Sequence, residues 1–196
     1  MMISAVQKRG SVAFPDHTGE RVYMLPFKPA ASLPRSLARW QPTVDAMMAG
    51  INAPVAYLMI DQGIVKPGHS HRRGGVHIDG KWNPELKAWG PAPGEWAHPP
   101  RHKNNGHITN GSFVEGLLLA SNVTASRAFA GGFTGEIGEG GDCSHIDLSS
   151  LIEVPLEAGY CYAGNITMLH ESLPIETEAL RTLVRINVPG WHPKVH

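Results

Sequence analysis

The fold prediction starts from one strand-like segment, Gly74-Gly75-Val76-His77-Ile78-Asp79-Gly80. Apolar and polar side chains alternate along it, and glycines bound it at both ends. In a β-strand, residues two positions apart point to the same face, so we expect His77 and Asp79 to project together. An imidazole nitrogen beside a carboxylate oxygen forms two thirds of a facial metal site, and a second histidine from another strand would complete it.

Two later segments supply candidate partners for this pair. Residues 160–170 are predicted as a strand ending in His170, and residues 180–188 as the strand after it. Alternation along the second strand places Arg181 and Arg185 on one face. Buried guanidinium groups need an anionic partner, and a dicarboxylate suits them because guanidinium binds carboxylate bidentately. A solvent-exposed strand face is the alternative location for either arginine.

The rest of the chain is typical of a turn-rich β protein. Glycine occurs 22 times and proline 16 times, while charged residues make up 17%, which is below the usual quarter. Residues 43–49 favour a helix, and the apolar run at residues 55–60 indicates a strand buried on both faces. Further strands are predicted at residues 11–14, 20–25, 75–80, 113–120 and 125–133.

Many short strands with Gly/Pro-rich turns predict an antiparallel sandwich or barrel of jelly-roll type, with one or a few flanking helices. We expect a single domain over residues 1–196, with an N-terminal extension (1–53) and a jelly-roll core (54–192). Residues 81–111 lack sustained periodicity but carry three tryptophans. This combination predicts a substrate-binding loop or lid beside the metal.

The composition argues against several kinds of partner. Lysine plus arginine equals aspartate plus glutamate at 17 each, so no net charge suggests nucleic acid or an anionic membrane. The longest apolar run, residues 53–60, is far shorter than a membrane span. Two cysteines are too few for a disulfide framework, and the first residues lack a signal-peptide apolar run. We therefore expect a cytoplasmic protein acting on a small molecule, with a homodimer left open.

The order of these residues resembles the Fe(II)/2-oxoglutarate-dependent dioxygenases, which carry His-X-Asp, a distant histidine and a later arginine. The matching residues are His77, Asp79 and His170, followed by Arg181 and Arg185 at 11 and 15 residues after the distal histidine. The resemblance implies a double-stranded β-helix, which is a distorted jelly roll, with iron bound by the first three residues. It further implies that Arg181 or Arg185 binds the distal carboxylate of the cosubstrate 2-oxoglutarate.

The activity implied by the resemblance is hydroxylation of a small substrate, which could be anionic, with release of succinate and CO2. The second arginine would then meet an acidic group on that substrate. Arg181 lies nearer the family's usual spacing from the histidine. Several branches of the family have a serine two residues after the arginine. In this chain that position is Leu183 for Arg181 and Asn187 for Arg185. The choice between the two arginines therefore stays open.

Two other interpretations remain. Pro67-Gly68-His69-Ser70-His71 resembles the first motif of the cupins, in which case His69, His71 and His170 would bind the metal. Cupins have a glutamate a few residues further on, but Arg72-Arg73 stands there and could instead contact an anionic substrate, together with His69. The second interpretation is a non-enzymatic jelly-roll binding module in which the His-X-Asp pair is structural.

Overall fold

Most of the regular structure of this protein is β-strand. The computed structural model describes residues 1–80, 82–84, 87–89 and 115–194. The strands in these residues are β1 (Met2–Ser4), β2 (Val6–Ser11), β3 (Arg21–Phe27), β4 (Ala56–Val65), β5 (Trp82–Asn83), β6 (Ala88–Trp89), β7 (Glu115–Ser121), β8 (Ser126–Phe133), β9 (Ile152–Pro155), β10 (Tyr160–Asn165), β11 (Leu169–Ser172) and β12 (Ala179–Pro189). A 3-10 helix (Arg35–Trp40) leads into the α-helix α1 (Gln41–Met48), and a 3-10 turn spans Glu139–Gly141. The prediction of a mostly β protein is confirmed.

The strands form two larger sheets with antiparallel pairing. The first sheet has six strands in the order β2-β10-β7-β12-β4-β3, and the second pairs β8 with β1, β9 and β11. β5 and β6 pair with each other. Strand β12 is bonded along one edge to β4 and along the other to β7, so its backbone is fixed on both sides. The two arginines of interest therefore project from an interior strand of the larger sheet.

One face of the six-stranded sheet is covered by the N-terminal helical segment. Val184 and Ile186 of β12 share a buried apolar cluster with Trp40 and Met47, and none of the four side chains is exposed to solvent. Each such burial contributes about 1.5–3 kcal/mol to folding. The helix predicted at residues 43–49 is confirmed, since α1 begins two residues earlier and ends one residue earlier.

The other face of the six-stranded sheet looks toward the smaller sheet. Leu119 and Tyr162 share a buried cluster there with Ala128 of β8. Because side chains alternate along β12, Arg181 and Arg185 lie on this inner face, where they are 0% and 6% exposed. The prediction that the two arginines share one face is confirmed, and a surface location is excluded by their burial.

The single strand predicted over residues 160–170 is wrong. The strand β10 ends at Asn165, and β11 belongs to the other sheet. A tight turn separates them, in which Met168 N–H donates to Asn165 O at 3.0 Å. The side chain of Met168 occupies the space that a Cβ on Gly164 would need, so a glycine there permits the turn. The turn carries His170 across to the smaller sheet, opposite the arginines.

Two shorter predictions also differ from the structure. The sequence predicts a strand over residues 11–14, whereas β2 ends at Ser11, which pairs with Tyr160 at the start of β10. Residues 75–80 were expected to pair along their length, but they form isolated bridges at His77 alone. The reason is that this segment lies between β11 and the 3-10 turn at Glu139–Gly141 instead of inside a sheet.

Several predictions are not decided by the fold. The lid prediction covers residues 81–111, and within it only residues 82–84 and 87–89 belong to the described part of the chain. The single-domain boundaries stay a prediction. In the described ranges, no helix combines the length and the apolar character that crossing a bilayer requires.

Candidate metal centre

The segment that carries His77 and Asp79 is held by backbone hydrogen bonds on two sides. Toward β11, His77 N–H donates to His170 O and His170 N–H donates to His77 O, both at 3.0 Å. Toward the 3-10 turn, Ile78 N–H donates to Gly141 O at 2.9 Å. The two histidines are thus direct cross-strand neighbours, and their ring centroids lie 4.6 Å apart.

Alternation within this segment separates apolar from polar side chains as the sequence predicted. Val76 and Ile78 are buried in an apolar cluster that includes Phe129. His77 and Asp79 line a cavity between the two sheets. The apolar pair therefore anchors the segment in the core and orients the polar pair toward the cavity.

Each imidazole has one nitrogen occupied and one available. His77 Nδ1 lies 2.7 Å from Gly75 O, and His170 Nδ1 lies 2.9 Å from Met168 O. A carbonyl oxygen can only accept, so Nδ1 carries a hydrogen in both rings, and Nε2 is the nitrogen that could bind a metal. Metal-bound histidines commonly have a backbone carbonyl bonded to the second nitrogen in this way.

The available atoms converge on Asp79. His170 Nε2 lies 3.2 Å from Asp79 Oδ2, and His77 Nε2 lies 4.0 Å from Asp79 Oδ1. One ligand atom from each of the three residues lies within 4.8 Å of the other two, so the group could hold a metal ion. Two nitrogens and one carboxylate oxygen are a donor set suited to a first-row transition metal, with further positions left for other ligands.

The electrostatic surroundings keep His77 and Asp79 in the protonation states that metal binding needs. Burial and the neighbouring His170 lower the pKa of His77 to about 4, so its ring is neutral near pH 7. Burial would raise the pKa of Asp79, but Arg185 and the two imidazoles lower it below its usual range. A neutral imidazole at His77 therefore faces an ionised carboxylate at Asp79.

Arg185 lies directly against the carboxylate of this group. Its Nη2 is 2.9 Å from Asp79 Oδ2, and its Nε donates to Asn187 Oδ1 at 3.1 Å. Burial lowers the pKa of Arg185, and the adjacent Asp79 acts in the opposite direction. The structure therefore brings this predicted cosubstrate residue into direct contact with a candidate metal ligand.

Arg181 lies further along β12 and is fully buried. Its Nη2 donates to Ser126 Oγ at 2.8 Å and its Nε to Ser121 Oγ at 3.3 Å. Its Nη1 has no hydrogen-bond partner in the described part of the chain. Burial lowers the pKa of Arg181 to about 10, so the group is still a cation near pH 7.

The cavity beside these residues has a volume of about 260 Å3 and connects them. His77, Asp79, His170 and Arg185 line it together with Ser121 and Ser126, the two serines that contact Arg181. Residues with aromatic or basic side chains form other parts of its wall; these are Tyr23, Tyr160, Tyr162, Arg72 and Arg73. The volume is enough for a small organic acid beside the candidate ligands.

The alternative histidines are arranged differently. His69 is exposed, and its Nδ1 lies 3.0 Å from Pro67 O. His71 packs over Gly63, and its Nε2 lies 3.6 Å from Asp61 Oδ1. Among the described residues, neither histidine belongs to a group of three potential metal ligands.

Three buried residues near this centre were missed in the sequence. Asp61, Glu115 and Asn187 are 8%, 2% and 1% exposed. Asp61 follows an apolar run in β4, Glu115 begins the mostly apolar strand β7, and Asn187 alternates with Arg181 and Arg185 along β12. A polar side chain next to an apolar run requires a partner once it is buried, and this was the available signal. Their partners lie far away in the sequence, so spacing could not identify them.

Comparison of the chain with protein-family models, with curated proteins and with solved structures gives no match. The geometry of the centre is therefore the basis on which a function is inferred.

Proposed function

We propose that this protein is a non-haem Fe(II)/2-oxoglutarate-dependent oxygenase that hydroxylates a small anionic substrate and releases succinate and CO2. The proposal includes the finer fold assignment, a double-stranded β-helix of jelly-roll type. The observation that carries it is the convergence of His77 Nε2, His170 Nε2 and the Asp79 carboxylate at one end of a cavity. Such a facial triad with open positions is the arrangement that suits non-haem Fe(II) oxygenases.

The protein's residues fit the iron in their chemistry. His77, Asp79 and His170 would hold it, each with an outer partner that fixes the orientation of the ligand: Gly75 O, Arg185 and Met168 O. Bound Fe(II) would supply oxygen activation coupled to oxidative decarboxylation of 2-oxoglutarate. The protein contributes ligand orientation, a neutral imidazole at His77 and a partly enclosed cavity between two sheets.

Arg181 is the better candidate for the distal carboxylate of 2-oxoglutarate. Arg185 is already engaged by Asp79, whereas Arg181 donates to the hydroxyl oxygens of Ser121 and Ser126. A serine oxygen that accepts from a guanidinium keeps its own O–H free to donate into the cavity. The two hydroxyls would therefore donate to the carboxylate, while the buried charge of Arg181 strengthens both bonds.

Arg72 and Arg73 favour an anionic substrate. Both line the cavity, with 44% and 45% of their side chains exposed. Arg72 is held by Asp61 at 3.0 Å and Arg73 by Gly140 O at 2.6 Å, so both guanidinium groups are pre-oriented. A carboxylate or phosphate group on the substrate would bind these arginines at low entropic cost.

Anaerobic titration of the protein with Fe(II) and then 2-oxoglutarate tests the proposal. We expect the weak visible charge-transfer band of an iron–2-oxoglutarate chelate, followed by succinate formation when oxygen is admitted. The variant His77→Ala should lose both signals because it removes one ligand. His69→Ala is the matched control, since it removes an exposed histidine outside the group, and it should retain both signals.

The other outcomes of this titration point to the alternatives. Metal binding without a chelate band would indicate a metal enzyme that does not use 2-oxoglutarate. Absence of any metal binding by the wild-type protein would contradict the proposal and favour the non-enzymatic binding module.

A further inference from the structure

The carboxylate ligand is connected to a chain of buried hydrogen bonds that ends at its own backbone segment. Asp79 Oδ2 contacts Arg185 Nη2 at 2.9 Å, and Arg185 Nε donates to Asn187 Oδ1 at 3.1 Å. Asn187 Nδ2 then donates to Glu115 Oε1 at 2.6 Å. The same oxygen of Glu115 accepts from the backbone N–H of Trp82 at 3.1 Å. Trp82 lies three residues after Asp79, so the connection forms a nearly closed ring.

The polarity of this ring is fixed by Glu115. An ionised carboxylate can only accept hydrogen bonds, so the amide nitrogen of Asn187 must face Glu115. The amide oxygen of Asn187 must then face Arg185, which can only donate. With Nε held by Asn187, the orientation of the guanidinium plane is fixed and Nη2 is directed at Asp79. Reversal of the Asn187 amide would place a donor against a donor and release Arg185.

Burial makes this arrangement stiff. Glu115, Asn187 and Arg185 are 2%, 1% and 6% exposed, so water does not compete freely for their hydrogen bonds. The residues also come from firmly held elements, because β7 and β12 pair with each other and the register places Pro189 opposite Glu115. The strand pairing therefore fixes the spacing between Glu115 and Asn187. Arg185 lies two residues before Asn187 on the same strand, so its distance from Glu115 is fixed as well.

We propose that Glu115 and Asn187 are positioning residues, which hold Arg185 against Asp79 and so set the orientation of the carboxylate for metal binding. Glu115 acts on Asp79 through the side chains of Asn187 and Arg185, and it is itself held by the backbone N–H of Trp82. This inference rests on the proposed function to the extent that the three-residue group binds a divalent metal. It concerns residues that do not contact the metal or the substrate.

Cobalt(II) titration of the full-length protein without cosubstrate, followed by visible d–d absorption, tests this inference. We expect Glu115→Gln and Asn187→Ala each to weaken Co(II) binding by about 10- to 100-fold, the usual loss when an outer partner of a ligand is removed. Asn187→Ala changes no charge, so its effect distinguishes positioning from a purely electrostatic influence of Glu115. The double variant should lose less than the product of the two single losses, because both act through Arg185.

The matched control is Gln62→Leu. Gln62 is 1% exposed and bonds to Thr18 N–H and Thr182 Oγ1 on the other face of the same sheet. This variant should lower the melting temperature with Co(II) affinity unchanged.

The inference is overturned if Asn187→Ala binds Co(II) within twofold of the wild-type protein while its melting temperature falls as in the control. Absence of Co(II) binding by the wild-type protein would overturn the metal centre as well, so the two failures are distinct. Asn187→Ala alone decides the matter if Glu115→Gln does not fold.

Discussion

At the scale of single residues, two arginines on one strand face have different surroundings. Arg185 contacts a carboxylate of the protein, whereas Arg181 contacts two serine hydroxyls that line the cavity. A buried cation without an adjacent carboxylate is costly, and Arg181 is influenced by Asp61 only at longer range. Arg181 is therefore the arginine that an incoming carboxylate would stabilise most.

The variant Arg181→Gln should raise the apparent constant for 2-oxoglutarate by roughly two decades, at ~1.4 kcal/mol per decade. Removing the buried charge weakens the two serine hydroxyls as donors and leaves the metal ligands untouched. Fe(II) affinity in the absence of cosubstrate should consequently change little. The measurement is chelate absorbance against 2-oxoglutarate concentration under anaerobic conditions.

Arg35→Gln is the matched control, because it removes an exposed arginine remote from the cavity lining. It should leave the 2-oxoglutarate constant unchanged. Equal cosubstrate affinity in wild-type protein and Arg181→Gln would show that Arg181 has no part in cosubstrate binding.

Residue spacing predicted which side chains of the centre share a face, because that rule depends only on residues close together in the sequence. The rule that residues two apart share a face correctly placed His77 with Asp79, and Arg181 with Arg185. It succeeded for the first pair although residues 75–80 pair only at His77, because an extended backbone alternates whether or not a full ladder forms. The partner of Arg185 could not be predicted from spacing, since it depends on how two sheets face each other.

At the scale of elements, the candidate metal ligands depend on a turn whose supporting role could not be predicted from the sequence. Gly141 has φ +84°, and its carbonyl accepts from Ile78 N–H. A Cβ at this glycine would collide with the backbone carbonyl oxygen of Ile78. The 3-10 turn can therefore support the segment of His77 and Asp79 only if residue 141 has no side chain.

Two neighbouring glycines allow this element to be tested. Gly140 and Gly141 both have positive φ, but a Cβ on Gly140 would meet only Arg73 Nη1, at 3.6 Å. We expect Gly140→Ala to cost about 1 kcal/mol in the free energy of unfolding, from left-handed backbone strain. Gly141→Ala carries the same strain plus a backbone collision, so it should cost about 3 kcal/mol or more and also weaken metal binding.

Urea unfolding of the metal-free proteins and Co(II) titration of each variant provide the measurements. Gly140→Ala is the control for positive φ alone. Equal stabilities of the two variants would mean that the turn accommodates a Cβ at residue 141 without loss in the free energy of unfolding. Gly141 would then not be required to support the segment of His77 and Asp79.

The break between β10 and β11 is a strand boundary that could not be predicted from the sequence. Residues 160–170 looked continuous because nine of the eleven are compatible with a strand by alternation or apolar character. The turn is stabilised by Thr167 Oγ1 and Asn165 Nδ2, which donate to Ile3 O at 2.7 and 2.8 Å. Those bonds reach to the start of the chain, so no local pattern could reveal them. The sequence therefore predicted His170 as a ligand but placed it at the end of the strand that begins at residue 160, whereas it lies in β11 of the smaller sheet.

At the scale of the whole molecule, a second charge network joins elements around the cavity mouth. Asp61 of β4 lies 3.0 Å from Arg72 Nη1 and 3.4 Å from Arg21 Nε of β3, while His71 Nε2 is 3.6 Å away. A single carboxylate thus ties the segment after β4 to two strands of the larger sheet. Its ionisation should be linked to the stability of the entire fold.

The stability of the protein toward denaturant should therefore respond to acid through Asp61. His71 foremost, and then Arg72, lower the pKa of Asp61 to about 2 from an ordinary value of 3.8, although burial acts in the opposite direction. A carboxyl group whose pKa is lower in the folded state contributes stability above its ordinary pKa, and this contribution is lost as pH falls through the folded-state value.

Asp61→Asn should be less stable than the wild-type protein at pH 7. The difference should shrink below pH 4 and largely vanish near pH 2, because protonated Asp61 is uncharged and has the shape of asparagine. Urea midpoints of both proteins from pH 7 to pH 2 measure this, and a difference that stays constant over the range would show that the carboxylate of Asp61 is not stabilised by its basic neighbours.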